Sequence, residues 1–313
     1  MAGDLAAADA RASSDARLPD VFLVGAMKAG TTAVADALAA HPAVFVCPVK
    51  EPHFLADPGW PGPEADARGV HDPRAVLRPD GPATLHHARV TEPATYAALF
   101  AGAASARAAV DASTSYLHCP GTPYAIAAAR PEARIVVLLR EPAEQAYAHY
   151  LMDRRIGRTR LSFAEAVARD PRYLTFSRYG DAIARYLDMF SREQVLIRTH
   201  DALRTEFAGV FAEICRHIGV APVEPPEAPV NTAAAPRWPR LTAALYGSGA
   251  TAVARWALPR GVVTRARAAL ETAPARRAPT AGERALVWNE LGDERHRLEA
   301  LTGLDLSPWA DRP

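Results

Sequence analysis

Short apolar runs alternate with amphipathic segments over the first two thirds of the chain. Because parallel strands buried on both faces are continuously apolar, the runs predict strands, and segments with helical spacing between them predict helices. Strands that alternate with helices predict an α/β fold, a parallel central sheet with helices on both faces. The predicted strands are 20–26, 43–48, 106–113, 133–140 and 194–200; the predicted helices are 31–40, 92–103, 122–131, 141–155, 162–169, 180–191 and 205–219.

The pattern changes in two places. Residues 57–82 are dense in proline, glycine and aspartate, which predicts a long, lid-like loop. After residue 220 no strand pattern follows, and 241–258 and 282–303 are typical of amphipathic helices. We therefore interpret 221–313 as a helical cap on a single domain that spans 20–313. The small, polar residues 1–19 predict a disordered leader.

Composition and charge limit the classes of partner and the cellular compartment that we expect. The 313 residues are 49% hydrophobic and 23% charged with a formal net charge of +1, so nothing global predicts a nucleic-acid partner and any anion site must be local. Three widely spaced cysteines show no metal-ligand spacing, which favours free thiols in a reducing compartment. The amino terminus lacks the pattern of a secretory signal, and no apolar run approaches the ~20 residues of a membrane helix. We expect a cytoplasmic protein without a membrane span.

The segment "FLVGAMKAGTTAVADAL" (22–38) has the order strand, loop, helix of a phosphate-binding site. Gly30 would let the backbone approach an anion, Thr31 and Thr32 offer hydroxyls and first-turn amides, and Lys28 adds a full charge. The lysine precedes the second glycine, whereas in a P-loop it follows. A tight turn with a solvated lysine is the alternative from this segment alone.

Five segments, in order along 20–309, resemble motifs of the sulfotransferases that use 3′-phosphoadenosine 5′-phosphosulfate (PAPS), in the branch with the heparan-type enzymes and many bacterial relatives. "KAGTT" is similar to the family's 5′-phosphosulfate loop K-x-G-T-S/T, and "REPAEQAYAHY" (140–150) to its 3′-phosphate strand and helix. The other three matches are "KEPHFL" (50–55), "DASTSYL" (111–117) and "LEALTGLDLSPW" (298–309). The resemblance implies a sulfotransferase with a P-loop-NTPase-like fold.

The resemblance also implies how the donor is held. Lys28 would neutralise charge on the bridging oxygen as the sulfuryl group departs, which accelerates a transfer because that charge develops in the transition state. The product would be 3′-phosphoadenosine 5′-phosphate (PAP), and the family requires no metal. The 5′-phosphosulfate would be held by Lys28, Ala29, Gly30, Thr31 and Thr32.

Arg140 is expected to bind the 3′-phosphate, because its planar guanidinium suits phosphate oxygens. The family places a serine on the following helix as a second ligand, but this chain has Ala148 there. Arg237 is expected to reach the donor from the cap. An arginine that only caps the sheet edge is the structural alternative for Arg140. Asp111 stands where the family's pattern has glutamate.

The acceptor is expected to be a hydroxyl of a small molecule, glycolipid or natural product, and it needs a general base. The resemblance assigns this role to Glu51, because the matching glutamate has it in the glycan branch. His53 is the rival base, as in many cytosolic sulfotransferases, and it could instead only pack.

Two other functions stay open. A small-molecule kinase would need a lysine after the second glycine, where Thr31 stands. A nucleotide-binding regulator without catalysis is favoured by Ala148 and disfavoured by the intact pair Lys28 and Glu51. The oligomeric state is open.

Overall fold

The computed structural model describes residues 17–57, 72–86, 88–226 and 278–310, together with the backbone of 235–236 and 271–272. The chain forms two compact units. The described part of the first comprises 17–57, 72–86, 88–140 and 179–226; that of the second comprises 141–178, 235–236, 271–272 and 278–310.

A five-stranded parallel sheet forms the centre of the first unit. The described strands are β1 (Val21–Gly25), β2 (Val44–Val46), β3 (Val49–Lys50), β4 (Leu85–His86), β5 (Ala108–Ala112), β6 (Arg134–Leu139), β7 (Val195–Thr199), β8 (Ala235–Pro236) and β9 (Glu271–Thr272). The order in the sheet is β2-β5-β1-β6-β7, and every pair is parallel. Leu23 of β1 is in register with Ala112 of β5 and Val136 of β6.

Helices follow most of these strands. The described helices are α1 (Thr31–Ala39), α2 (Pro93–Leu99), α3 (Thr122–Ala129), α4 (Pro142–Arg155), α5 (Phe163–Arg169), α6 (Arg172–Thr175), α7 (Gly180–Met189), α8 (His200–Thr205), α9 (Phe207–His217), α10 (Ala281–Leu291) and α11 (Glu294–Thr302). Within the described ranges, none of them is both long and apolar enough to cross a membrane.

The central strands are buried along their whole length, which explains their continuous apolar sequence. All five residues of β1 and all five of β5 are buried. A strand with neither face exposed to water gains from an apolar residue at every position. The alternation of apolar and polar residues that is typical of half-buried strands is therefore absent. Asp111 is the exception, a carboxyl group at the end of β5 with no exposed surface.

The second unit has its own apolar core, in which α4, α5, α6 and α10 contribute aromatic and aliphatic side chains. Glu141 caps α4 by accepting hydrogen bonds from the amides of Ala143 and Glu144. Its carboxylate also accepts from Arg284 Nη1 at 2.7 Å and Trp288 Nε1 at 2.8 Å, so one buried acid ties α4 to α10.

The predicted fold class is confirmed: a central parallel sheet is flanked by helices. All five predicted strands and the seven helices predicted over 31–219 are present, with ends shifted by a few residues. The expectation of no strand after residue 220 is wrong, because β8 and β9 form a short antiparallel pair there. The helix expected over 282–303 divides into α10 and α11, because the chain turns at Gly292, with φ of 58°. Residues 1–16, 58–71, Arg237 and 241–258 lie outside the described residues, so the leader, most of the lid-like loop and part of the cap stay predictions, as does the single domain.

Candidate active site

The loop after β1 requires glycine at both of its glycine positions. A Cβ at Gly25 would lie 2.8 Å from Leu117 Cβ and 3.4 Å from the carbonyl oxygen of Thr114. Gly30 has φ of 96°, and a Cβ there would lie 2.6 Å from Leu203 Cδ2. At Gly25 the contact with Leu117 Cβ is too short for a side chain, and at Gly30 the positive φ would strain any other residue. The loop therefore turns closely past its neighbours before α1 begins.

The amino end of α1 offers donors for an anion. Among the described residues, no side chain caps this helix, and its backbone ladder starts with the Val34 amide donating to Gly30 O at 3.3 Å. Amides at such an end lack intrahelical partners and carry the positive end of the helix dipole. Thr31 is buried and Thr32 half-buried at this end. Lys28, half-buried with φ of 67°, lies at the crest.

Arg140 lies beside this loop. It follows β6, and its Nη1 donates a hydrogen bond to the backbone carbonyl of Lys28 at 3.1 Å. Its own carbonyl accepts a hydrogen bond from the hydroxyl of Tyr179, also at 3.1 Å. The structure therefore brings together Lys28 and Arg140, which are 112 residues apart in sequence.

The segment after β3 places Glu51 at the same edge of the sheet. The Glu51 amide donates to the carbonyl of Ala112 at 3.0 Å, at the carboxyl end of β5. Glu51 and His53 both have positive φ, 66° and 54°. Non-glycine residues adopt this conformation rarely and at a cost, so it persists only where surrounding contacts enforce it.

The Glu51 carboxylate is buried and held on both oxygens. Lys50 Nζ donates to Oε1 at 3.2 Å, and the Thr114 hydroxyl donates to Oε2 at 3.0 Å. His53 Nε2 lies 3.6 Å from Oε2. The His53 Nδ1 lies 2.7 Å from Ser115 Oγ, so the imidazole is oriented by a hydroxyl on one side and a carboxylate on the other.

Thr114 and Ser115 were not among the predicted site residues. They form the short turn after β5, within "DASTSYL", one of the five motif matches. Their contacts join positions more than 60 residues apart, and hydrogen bonds of that range leave no spacing signal in one sequence. Only the motif match could have pointed to this turn.

Asp111 is the centre of a second, fully buried cluster next to this turn. Its Oδ2 accepts hydrogen bonds from the hydroxyls of Tyr96 at 2.7 Å and Tyr116 at 2.9 Å. Its Oδ1 accepts from Ser113 Oγ at 2.8 Å. Burial raises the pKa of Asp111 from 3.8 to about 6, against the opposing effect of these three hydrogen bonds.

One predicted ligand of the donor belongs to the second unit. Ala148 is a half-buried residue of α4 in the second unit. The neighbouring His149 is fully buried, with its ring centroid 4.8 Å from that of Tyr173. The role of Arg237 stays a prediction. No cluster of metal-ligating side chains occurs within the part of the chain that the structure describes.

Comparison with known proteins identifies the class. A sequence model of the sulfotransferase family matches residues 19–225, and the chain therefore belongs to that family. The crystal structure of a sulfotransferase from Alicyclobacillus acidocaldarius is similar over 94% of this chain and 99% of that one, with a TM-score of 0.67 and 25% identity. The resemblance seen in the sequence motifs is thus confirmed at the level of family and fold.

Two mammalian enzymes are similar to a shorter part of this chain. Human bifunctional heparan sulfate N-deacetylase/N-sulfotransferase 3 is 30% identical over 124 residues, 35% of this chain. Mouse bifunctional heparan sulfate N-deacetylase/N-sulfotransferase 4 has the same identity over the same share of this chain. These matches span only 14% of the relatives' own length.

Proposed function

We propose that this sulfotransferase moves a sulfuryl group from PAPS to a hydroxyl of a small molecule, glycolipid or natural product. One observation carries the proposal. Thr114 donates to the carboxylate of Glu51, and the carbonyl of the same residue borders Gly25 at the start of the anion loop. A candidate base and a candidate phosphosulfate site therefore share one edge of the sheet, where parallel α/β folds bind their ligands.

The donor would lie along that edge. The amino end of α1 would bind the 5′-phosphosulfate through the amides and hydroxyls of Thr31 and Thr32, with the backbone of Ala29 and Gly30 alongside. Arg140 would bind the 3′-phosphate, since its guanidinium lies next to the same loop. A guanidinium can give two parallel hydrogen bonds to a phosphate, which a single ammonium cannot.

The transfer would be a single in-line displacement. Glu51 takes the proton from the acceptor hydroxyl as its oxygen bonds to sulfur. The bond from sulfur to the bridging oxygen breaks, and its electron pair stays on the 5′-phosphate of the departing PAP. Lys28, at the crest of the loop, stabilises the charge that grows on that oxygen.

Glu51 is a better candidate base than His53. Hydrogen bonds from Lys50 and Thr114 fix the carboxylate on each oxygen. The His53 ring lies between Ser115 Oγ and Glu51 Oε2, which suits a residue that orients Glu51 or the acceptor. A base must be held within hydrogen-bond reach of the proton it abstracts, so a carboxylate held on both oxygens fits this role.

Two measurements test the proposal. The protein is incubated with PAPS and a panel of alcohols, sugars and phenols, and PAP release is followed together with the mass of the acceptor. Calorimetric titration with PAP, AMP and ATP measures the donor site independently of the acceptor. We expect PAP release that depends on an acceptor, and PAP as the tightest of the three ligands. Tighter binding of ATP than of PAP, with phosphate rather than sulfate on the acceptor, would identify a kinase instead.

A further inference from the structure

We propose that Asp111 is a positioning residue, which holds the segment 51–55 in its active shape through hydroxyl groups that hydrogen-bond to both. This inference rests on the proposed role of Glu51, because that segment carries the candidate base. Asp111 itself has no exposed surface and would touch neither donor nor acceptor.

Two hydroxyls link Asp111 to the backbone of the segment. Ser113 Oγ donates to Asp111 Oδ1 at 2.8 Å and accepts the amide of His53 at 3.3 Å. The Tyr116 hydroxyl donates to Asp111 Oδ2 at 2.9 Å and accepts the amide of Leu55 at 3.1 Å. Each hydroxyl therefore has its proton on the carboxylate and its oxygen on the segment.

Tyr96 contacts the segment in a different way. Its hydroxyl donates to Asp111 Oδ2 at 2.7 Å, while its ring stacks on Phe54 with centroids 4.2 Å apart. Residues 53, 54 and 55 thus each meet one of the three hydroxyl-bearing side chains that converge on Asp111. The contact from Tyr96 is made by its ring, so it does not need the hydroxyl.

The segment needs such support because its backbone is strained. Glu51 and His53 both have left-handed φ, which side chains other than glycine, asparagine and aspartate adopt reluctantly. Strained residues persist where their surroundings over-determine them. Three backbone hydrogen bonds constrain the segment in this way. The amide of His53 donates to Ser113 Oγ, that of Leu55 to the Tyr116 hydroxyl, and that of Glu51 to the carbonyl of Ala112.

A carboxylate suits the centre of this arrangement because it only accepts hydrogen bonds. Its two oxygens direct the protons of all three hydroxyls inward, which leaves the oxygens of Ser113 and Tyr116 to accept amides. An amide side chain at position 111 would have to donate from one of its two atoms. That side-chain NH₂ would donate to a hydroxyl oxygen, and the hydroxyl would turn its proton away from position 111. Where the same oxygen also accepts a backbone amide of the segment, the two donors would compete for it.

Several titratable side chains among the described residues lie around Asp111. Tyr96 and Tyr116 bond to it directly, and Glu51 raises the pKa of Asp111. The Asp111 charge in turn helps to raise the pKa of the Cys47 thiol and of Tyr186, in both of which burial is the larger cause. Burial raises the pKa of Tyr96 and of Tyr116, so each keeps its proton and remains a donor at neutral pH.

The two tyrosines give a matched test. Tyr116→Phe and Tyr96→Phe each remove one buried hydroxyl from Asp111 Oδ2, but only the Tyr116 hydroxyl also bonds the segment. Turnover, the KM for the acceptor, PAP affinity and backbone hydrogen exchange over 51–55 are measured for both variants and for the unaltered protein. Thermal unfolding reports the loss of stability that the two variants share.

We expect Tyr116→Phe to lower kcat by roughly tenfold to a hundredfold, the scale of a displaced catalytic group, and Tyr96→Phe by less than about threefold. PAP affinity should stay within about twofold in both, because the loop after β1 is untouched. The Leu55 amide should exchange faster in Tyr116→Phe only. Equal kcat losses in the two variants, or unchanged exchange at Leu55, would overturn the role of Asp111.

The exchange measurement separates this inference from the proposed function. If no acceptor is turned over by the unaltered protein, the assignment of Glu51 fails, while faster exchange at Leu55 in both Tyr116→Phe and Asp111→Asn still supports Asp111 as the anchor of the segment. Asp111→Asn should reproduce the Tyr116→Phe pattern in both readouts. If that variant does not fold, the tyrosine pair decides the question.

Discussion

The hydroxyl of Thr114 donates a hydrogen bond to the Glu51 carboxylate at 3.0 Å, across 63 residues of sequence. This contact joins the turn after β5 to the segment after β3. The backbone of the same threonine borders Gly25, where a Cβ would meet its carbonyl oxygen at 3.4 Å. The candidate base and the anion loop are therefore assembled around one turn.

Arg140 is expected to distinguish PAP from AMP. A charge-assisted hydrogen bond contributes ~1.5–3 kcal/mol, so PAP should bind roughly tenfold to over a hundredfold more tightly than AMP, and Arg140→Ala should remove most of that ratio. Because Arg140 also bonds the carbonyl of Lys28, its loss will disturb the loop itself. Calorimetry with both nucleotides cancels this effect in the ratio.

Arg140→Lys is the matched control. It keeps the charge but loses the planar fork, so an intermediate ratio of PAP to AMP affinity is expected. A ratio that does not change in either variant would leave Arg140 with only the structural role of holding the loop.

The fold could be predicted from the sequence because its strands are buried on both faces. Residues 135–139 and 21–24 are continuously apolar, and they lie in central strands of the sheet, β6 and β1. The strands β3, β4, β8 and β9 are not predicted, since each has two residues, too short for any periodicity. The helix α8 was missed because the apolar run of β7 passes directly into it at His200.

The candidate site could be predicted only where chemistry is local in sequence. Lys28, Gly30 and Thr31 lie within one short segment of sequence, so their types and order indicate an anion site. Lys50 is not among the predicted site residues, yet its Nζ donates to the Glu51 carboxylate. The hydroxyls of Tyr96 and Tyr116 reach Asp111 through the fold, and a single sequence contains no sign of such contacts.

Ala148→Ser is expected to tighten PAP binding modestly. The family's pattern has a serine here, and a neutral hydrogen bond contributes ~0.5–1.5 kcal/mol. Ala148 is half-buried, so there is surface for a hydroxyl to use. Calorimetric titration of both proteins with PAP measures the change, and AMP serves as the control ligand. Unchanged or weaker PAP binding would show that this position does not face the 3′-phosphate.

The buried charge of Asp111 should make stability depend on pH. The folded-state pKa of Asp111 is about 6, above the usual 3.8, so the folded protein binds this proton more tightly than the unfolded chain does. The stability gained from protonation is fully present below pH ~4 and is lost as the pH rises through 6. The free energy of unfolding, relative to Asp111→Asn, should therefore fall by up to about 3 kcal/mol between pH ~4 and ~7. Urea unfolding of both proteins across this range checks it. A difference that is flat or rises with pH would contradict the burial of an ionised Asp111.

Arg284 is expected to be important for stability through Glu141. Its Nη1 bonds the Glu141 carboxylate at 2.7 Å, and both side chains are buried. Removing one partner of a buried ion pair costs about 3–5 kcal/mol, because the other charge is left uncompensated. Burial raises the pKa of Glu141 and Arg284 opposes that rise, so in Arg284→Leu the acid protonates at a higher pH.

The cost of Arg284→Leu, measured by urea unfolding, should therefore be largest near neutral pH and shrink as the pH falls. Arg178→Leu is a suitable control, since it removes an exposed hydrogen bond to the carbonyl of Glu290 from the same unit. A loss of stability no greater than that of the control would mean that the pair with Glu141 contributes little.

The central claim is that Glu51 takes the proton from the acceptor, and Glu51→Gln tests it most directly. The amide keeps the shape and can still accept from Lys50 or Thr114, but it cannot accept a proton. Turnover with PAPS should fall by roughly 10²–10⁴-fold while PAP affinity barely changes, whereas His53→Ala should cost much less and Lys28→Ala should damage both turnover and PAP binding. Near-normal turnover of Glu51→Gln together with an inactive His53→Ala would contradict the account and make the histidine the base.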